Sequence, residues 1–179
     1  LAINSTKKTK IPNLLIDGKP VKRESSAKYL GDIINEKGSN SDLIEDRVKK
    51  GNGCSINIFA MVQDITFGCH TIETVLLLYD TLFLSSVLYN AQSWSCLTNS
   101  EMKKLKVCQM TVLKRVLKAP TSTPNAVVLL ELGILPIEFE VFRKRIMFLL
   151  HILKLDSDDP VNKVYQEQLK YQHETNWAN

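Results

Sequence analysis

The hydrophobic and polar positions divide the chain into an extended first part and a helical remainder. Up to residue 40, apolar residues come in short runs separated by turn-forming residues, which is typical of short strands. Asp17-Gly18 separates a run over residues 11–16 from one over 19–22, and this dipeptide supplies the positive φ angles of a two-residue hairpin turn. A further strand is predicted over residues 27–34, followed by a turn-rich loop over 36–40.

Helical spacing of apolar residues begins after Asn40 or Ser41, either of which can cap a first helix. Gly51-Asn52-Gly53 lies inside this pattern, at a place where the helix can break or bend. A second helix, from Thr71 to about residue 89, is apolar on nearly every side and is therefore predicted to be central.

Four more helices follow from capping residues and prolines. The third begins at Asn99 or Ser100 and ends before Pro120. Three others begin at or next to a proline, which costs no backbone hydrogen bond in the first helical turn. They span about residues 124–133, 136–155 and 160–172. The predicted fold is mainly α with a small N-terminal β element. Residues 1–40 form a hairpin and a strand, and residues 41–179 form a bundle of about five or six helices.

Two features limit the class of protein. The apolar block within residues 71–94 is interrupted by charged and amide residues, so we predict a buried core helix rather than a membrane span. The four cysteines lack the close spacing of structural zinc sites and are interpreted as reduced thiols of an intracellular protein, nuclear or cytoplasmic. Cys69-His70 is adjacent and isolated, which favours an ordinary buried cysteine.

Charge is unevenly distributed, although the net charge is only +4. Residues 1–50 carry 11 Lys and Arg, residues 51–100 carry none, and residues 101–150 carry 9. Two basic zones therefore flank an apolar block. A basic zone is the usual mark of a polyanionic partner, and a solvated helix face gives the same pattern.

The third helix carries the clearest basic face. At about 100° per residue, six cations fall within half of its circumference, and no acidic residue occurs between Met102 and Leu130. Binding a phosphate backbone would relieve their mutual repulsion. The six are Lys103, Lys104, Lys106, Lys114, Arg115 and Lys118.

Two smaller basic groups have acidic neighbours. Arg47, Lys49 and Lys50 lie near Glu45 and Asp46, and residues 143–145 (Arg-Lys-Arg) follow two glutamates. Such groups are more often solvated surface than binding sites.

The sequence offers no active site. The acidic pairs are a helical Glu45-Asp46 and an Asp158-Asp159 that is placed to cap the helix after Pro160. Neither pair forms the carboxylate cluster that two-metal phosphoryl transfer requires. A phosphate-binding glycine loop and a Ser/His/Asp or Cys/His arrangement are also absent from the sequence.

Four segments, in order, resemble one family. Lys28-Tyr29-Leu30-Gly31, with the Ile-Ile pair and turn that follow, resembles the Leu-Gly strand after the palm of non-LTR (LINE-type) retrotransposon reverse transcriptases. Residues 76–94 resemble the family's next helix, with Asn90 and Gln92 where Gly and Glu are usual. Residues 101–118 and 130–137 resemble two later segments, so that the likeness covers about residues 11–175.

The resemblance implies a fragment of an RNA-directed DNA polymerase, comprising the end of the palm, the thumb and the helices after it. The family's catalytic aspartates, and the Mg²⁺ that they hold, would belong to a palm that precedes Leu1. No catalytic, metal or cofactor residue is therefore expected here. The expected partners are a primer–template duplex and the missing palm, and no membrane.

Residue roles follow as expectations from the same resemblance. Lys28, Tyr29, Leu30 and Gly31 would position the primer end, with Gly31 allowing close backbone approach. The cations of the first and third helices would contact the duplex backbone without reading its sequence. These are Arg47, Lys49, Lys50, Lys103, Lys104, Lys106, Lys114, Arg115 and Lys118. The alternative is a non-catalytic helical interaction module, or a domesticated remnant that binds a protein partner.

Overall fold

A computed structural model describes residues 15–22, 24–64, 72–94 and 96–170 of the chain. The predictions for the apolar run before residue 15, for Cys69-His70, for a cap at Thr71 and for the end of the last helix near 172 lie outside the described residues. Within them, the predicted fold class is confirmed: two antiparallel hairpins precede six helices.

The first hairpin matches its sequence signal. Strands β1 (Leu15–Ile16) and β2 (Lys19–Pro20) pair antiparallel, with Ile16 opposite Lys19. Asp17 and Gly18, between them, have φ of 50° and 73°. These positive angles are the ones that a two-residue hairpin turn requires.

The prediction of a single strand over residues 27–34 is wrong, because the chain reverses direction in the middle of this segment. Strands β3 (Ser26–Tyr29) and β4 (Asp32–Asn35) pair antiparallel, with Tyr29 opposite Asp32. Leu30 and Gly31 form the turn, with φ of 48° and 90°. Leucine seldom adopts a positive φ, so the apolar pattern did not indicate a turn at this point.

Helix α1 (Ser41–Asp64) is continuous through Gly51 and Gly53, where the sequence predicts that the helix can break or bend. Gly51 is buried, and a Cβ built on it would lie 2.6 Å from Val87 Cγ2 and 3.0 Å from both Cys108 Sγ and Phe83 Cε2. Gly51 therefore permits close packing of three helices. A Cβ built on Gly53, in contrast, would have no neighbouring atom within 4 Å.

Helix α2 spans 72–87 in three consecutive pieces: an α-helical segment Ile72–Leu78, a π-helical segment Tyr79–Leu84 and an α-helical turn Ser85–Val87. A 3-10 turn, Ala91–Ser93, follows it. One side of α2 is buried against the other helices, whereas Ile72 and Leu77 on the other side are 47% and 62% exposed, so the helix is less central than its apolar sequence predicts. The buried side chains are Val75, Tyr79, Phe83 and Val87.

The remaining helices are α3 (Asn99–Val116), α4 (Asn125–Leu132), α5 (Ile137–Ile152) and α6 (Pro160–Lys170). Thr98, one residue before the predicted positions, caps α3 in a capping box with Glu101. In this motif the side chains of both residues bind backbone N–H groups that the helix leaves unpaired.

Contacts between side chains give the directions of the first three helices. Glu45 of α1 contacts Lys104 at the start of α3, and Phe59 contacts Arg115 near its end, so α1 and α3 run parallel. Gly51 of α1 meets α2 near its last turn, and Arg47 lies beside Tyr89, so α2 runs antiparallel to both.

A buried glutamine joins three parts of the core. Gln109 of α3 is 1% exposed, and its amide nitrogen donates to Tyr79 Oη and to the Leu135 carbonyl, both at 3.0 Å. Its amide oxygen accepts from the backbone N–H of Ile137 at 2.9 Å. Burial raises the pKa of Tyr79 well above its usual value, so this phenol stays neutral. The network fixes the start of α5 against α2 and α3.

Within the described residues, one stretch, Ile72–Ser93, is long and apolar enough to cross a membrane. In this structure 28% of its most apolar window is buried, including Tyr79, Phe83 and Val87, which pack against the other helices. A core helix meets the same criteria of length and composition as a membrane span.

Candidate nucleic-acid interface

The outer face of α3 lines a groove of about 820 Å³, here called the α3 groove. Its floor is a stripe of α3 residues three or four apart, which is the spacing of one helix face. The loop after α3 and the start of α4 form the other wall, with Thr121 and Asn125. Five cations line it: Lys103, Lys106, Lys114, Arg115 and Lys118.

Two of these five cations are held by backbone or ring contacts rather than by carboxylates. Lys114 Nζ donates to the Thr121 carbonyl at 2.7 Å. The Arg115 guanidinium carbon lies 4.4 Å from the centre of the Phe59 ring. Neither contact neutralises a charge, so both cations still contribute to the positive potential of the groove.

Carboxylates reach the α3 cations at two points. Lys106 Nζ lies 2.5 Å from Glu138 Oε2. Lys104, which lies on the α1 side of the helix and outside the groove lining, donates to Glu45 at 2.7 Å and holds the pKa of the Glu45 carboxyl below its usual value. Among the described residues, Lys103 and Lys118 have no carboxylate within ion-pair distance. The α3 groove therefore keeps an excess of positive charge.

The chemistry of the groove favours phosphates over bases. Its lining has no aromatic ring among the described residues, and its apolar members are aliphatic: Val107, Met110 and Ala119. Bases of single strands are bound mainly by stacking on aromatic rings, whereas duplexes are held largely through backbone and shape. From Lys103 to Arg115, α3 rises by about 18 Å, the axial span of about five phosphates on one strand.

The four residues predicted to position a primer end lie together on the β3–β4 hairpin. Lys28 and Tyr29 end β3, and Leu30 and Gly31 form the turn. Leu30 is 74% exposed and Tyr29 65% exposed. The hairpin therefore presents a tip of two large apolar side chains to solvent.

Internal contacts from the helices hold this tip. Tyr89 Oη donates to the Leu30 carbonyl at 3.2 Å, and Arg47 Nη2 donates to the Gly31 carbonyl at 3.1 Å. A Cβ on Gly31 would lie 3.4 Å from Tyr89 Cε1. This is an ordinary van der Waals distance, so it is the φ of 90° at Gly31, rather than crowding by Tyr89, that favours glycine here.

Arg47 does not fit the expected contact with a duplex. It is 3% exposed and forms a buried ion pair with Asp32 Oδ1, beneath the Tyr89 ring at 4.9 Å. Asn90 Nδ2 donates to the other Asp32 oxygen at 2.6 Å. Arg47 therefore anchors the hairpin to α1 and cannot reach a phosphate in this conformation, so it is left out of the interface.

The other two cations predicted on α1 lie outside the α3 groove. Lys50 pairs with Asp46 one turn earlier, with 2.7 Å between Nζ and Oδ2. Lys49 is exposed. Of the nine cations expected to bind a duplex, the structure thus brings five together in the groove and separates Arg47, Lys49, Lys50 and Lys104 from it.

The hairpin tip and one end of the α3 groove lie at the same end of the helix pair. Arg47 fixes the tip to the second turn of α1, and Glu45 on the preceding turn contacts Lys104 at the start of α3.

Tyr89 and Asn90 hold the β3–β4 hairpin against the helices, a role that no sequence pattern indicated. Both follow α2 and act on residues 58 or 59 positions earlier in the chain. Asn90 has a left-handed backbone conformation, with φ of 56°, and in this conformation its side-chain amide faces Asp32.

In the described part of the chain the potential metal ligands are dispersed, and the thiol of Cys108 is buried. No three His, Cys, Asp or Glu side chains there come together to hold a metal ion. Burial raises the pKa of the Cys108 thiol to about 11, so it stays protonated near neutral pH and is a poor nucleophile.

Comparison with known proteins adds no relative: the chain matches no protein-family model, no curated protein and no solved structure.

Proposed function

We propose that this chain binds the backbone of a nucleic-acid duplex through the α3 groove, as the thumb-side fragment of an RNA-directed DNA polymerase of the non-LTR retrotransposon type. Its task in such an enzyme is to hold the primer–template duplex beside a palm that carries the catalytic aspartates. The observation that carries the proposal is the groove itself, in which five cations line one helix face with an aliphatic floor.

Two local features support the resemblance that names the polymerase. The Tyr-Leu-Gly segment forms an exposed hairpin tip at the same end of the α1–α3 pair as Lys103, an arrangement compatible with a primer-positioning element. Asn90 occupies a position where Gly is usual in the family, and its φ of 56° is a conformation that Gly and Asn adopt readily.

The proposal is tested by removing Lys103 and Lys118, two of the four groove cations that have no carboxylate partner among the described residues. A Lys103→Gln/Lys118→Gln variant should bind a blunt RNA–DNA hybrid about tenfold more weakly than the wild type at 0.1 M salt, because two phosphates would lack a cationic partner. Fluorescence anisotropy of a labelled hybrid measures the affinity.

The matched control is Lys37→Gln/Lys154→Gln, which removes the same charge at two exposed lysines outside the α3 groove that, like Lys103 and Lys118, have no carboxylate within ion-pair distance among the described residues. We expect it to keep nearly wild-type affinity. Equal reductions in affinity for the two double variants would mean that only net charge matters, and would overturn the assignment of the groove.

A protein-binding helical module is the second candidate, and the outer face of α5 favours it. Five large apolar side chains spaced three or four apart are about half exposed there: Phe139, Phe142, Ile146, Leu150 and Leu153. A contiguous exposed apolar patch of this kind often marks a protein interface. Absence of measurable hybrid binding by the wild-type chain would favour this candidate over the polymerase fragment.

A further inference from the structure

A second basic site lies between α5 and the 3-10 turn that follows α2. It is a pocket of about 400 Å³, here called the α5 pocket. It shares no lining residue with the α3 groove. Its lining consists of Gln92, Arg143, Lys144, Met147, Phe148 and His151.

The polar lining of the α5 pocket is cationic. Lys144 is half-buried, and among the described residues it has no carboxylate within ion-pair distance. Arg143 faces Glu140, whose Oε2 accepts from Arg143 Nε at 2.9 Å and from Nη2 at 2.7 Å. This ion pair neutralises part of the positive charge of Arg143. His151, one turn after Met147, provides a ring N–H that can donate to an anion's oxygen. A phosphate is therefore complementary to one side of the pocket.

The remaining lining differs from that of the α3 groove in containing an aromatic ring. Phe148 is half-buried and Met147 is 61% exposed, so the pocket offers a flat apolar wall and a polarizable side chain. Gln92, opposite them, donates from Nε2 to Asn90 Oδ1 at 3.2 Å, which orients its amide at the edge of the pocket. An aromatic face beside cations and an amide suits an exposed nucleobase with its phosphate.

We propose that the α5 pocket binds one unpaired nucleotide of a single strand, with its base against Phe148 and Met147 and its phosphate near Lys144. The pocket is too small for a duplex, and a paired base would not expose the face that Phe148 can stack on. The inference extends the proposed function, and rests on it for the source of the strand, which is the unpaired part of a template or primer.

The probes are an octamer of deoxythymidine and an abasic deoxyribose-phosphate octamer of the same length. The wild-type chain should bind the thymidine octamer about tenfold more tightly, because stacking of each base is worth about 1–3 kcal/mol by alanine substitution. The preference for the thymidine octamer is the readout, since both probes carry the same backbone and bind equally to a merely basic surface.

Phe148→Leu should remove this preference, whereas Phe139→Leu, the same change on the same helix outside the pocket, should keep it. Lys144→Gln should weaken binding of both octamers, and it serves as a second variant if Phe148→Leu fails to fold. Loss of the preference in both Phe variants, or its retention in both, would overturn the proposal. So would displacement of the thymidine octamer by an equal concentration of an octapeptide of glutamate, which would indicate a general anion site.

The two proposals fail in different measurements. Binding to a blunt hybrid tests the α3 groove and should be unchanged by Phe148→Leu. A wild-type chain that does not bind the blunt hybrid but prefers the thymidine octamer would refute the duplex-binding function and keep the α5 pocket.

Discussion

Helices α1 and α3 lie side by side and both carry cationic residues, but the surroundings of these cations differ. Arg47 of α1 is buried under Tyr89 and paired with Asp32, and Lys50 pairs with Asp46. In α3, five cations line an open groove, and a carboxylate reaches one of them, Lys106, among the described residues.

The difference shows that a basic residue has to be judged by its burial and partners rather than by its place in a basic zone. A guanidinium that a buried carboxylate already neutralises gains little from a phosphate, and breaking its ion pair is costly. Solvated lysines crowded on one face repel one another, and a polyanion relieves that repulsion. The paired cations of α1 therefore have a structural role, and the proposed polyanion site is the groove along α3.

The largest effect is expected from removing the buried charge of α1. Arg47→Met should lower the free energy of unfolding by about 3–5 kcal/mol, because Asp32 would be left buried without its cation. Urea denaturation followed by circular dichroism measures this decrease. A decrease below about 1 kcal/mol would place Arg47 with the surface cations and remove the contrast between α1 and α3.

A second, smaller effect separates the two glycines of α1. Gly51→Ala should destabilise the chain by about 1–3 kcal/mol, since its Cβ would overlap Val87 in a packed core. Gly53→Ala, two residues on in the same helix, should stabilise it by about 0.5–1 kcal/mol, because alanine favours the helix and meets no neighbour. Similar changes in melting temperature for the two variants would contradict the close approach of α1, α2 and α3 at Gly51.

The parts of the fold that local rules control were predictable from the sequence. Asp17 and Gly18 both favour the positive φ angles of the turn that they form. The helical periodicity of 100° per residue correctly places the groove cations of α3 on one face. The Leu30-Gly31 turn was missed because leucine gives no turn signal. Contacts with Tyr89 and Arg47, which lie far away in the sequence, hold that turn in place.

The contacts of the candidate site could be predicted only in part, again because residues far apart in the sequence form them. The sequence places Arg47 among basic neighbours, but its partner Asp32 is 15 residues earlier on a strand, and no spacing rule joins a strand to a helix in that way. Gly51 likewise suggested a break, because its role depends on the helices that pack on it. The walls of the α3 groove and of the α5 pocket come from separate elements, so only the folded structure assembles them.

The salt dependence of hybrid binding tests the central claim most directly. For the wild-type chain, the logarithm of the association constant for a blunt RNA–DNA hybrid should fall linearly with the logarithm of salt concentration, with a slope of about −0.9 for each phosphate that a cation neutralises. Lys114→Ala/Arg115→Ala should make that slope shallower by about one unit for each cation that binds a phosphate in the wild type. An unchanged slope, or the absence of salt-dependent binding by the wild type, would contradict a duplex-binding α3 groove.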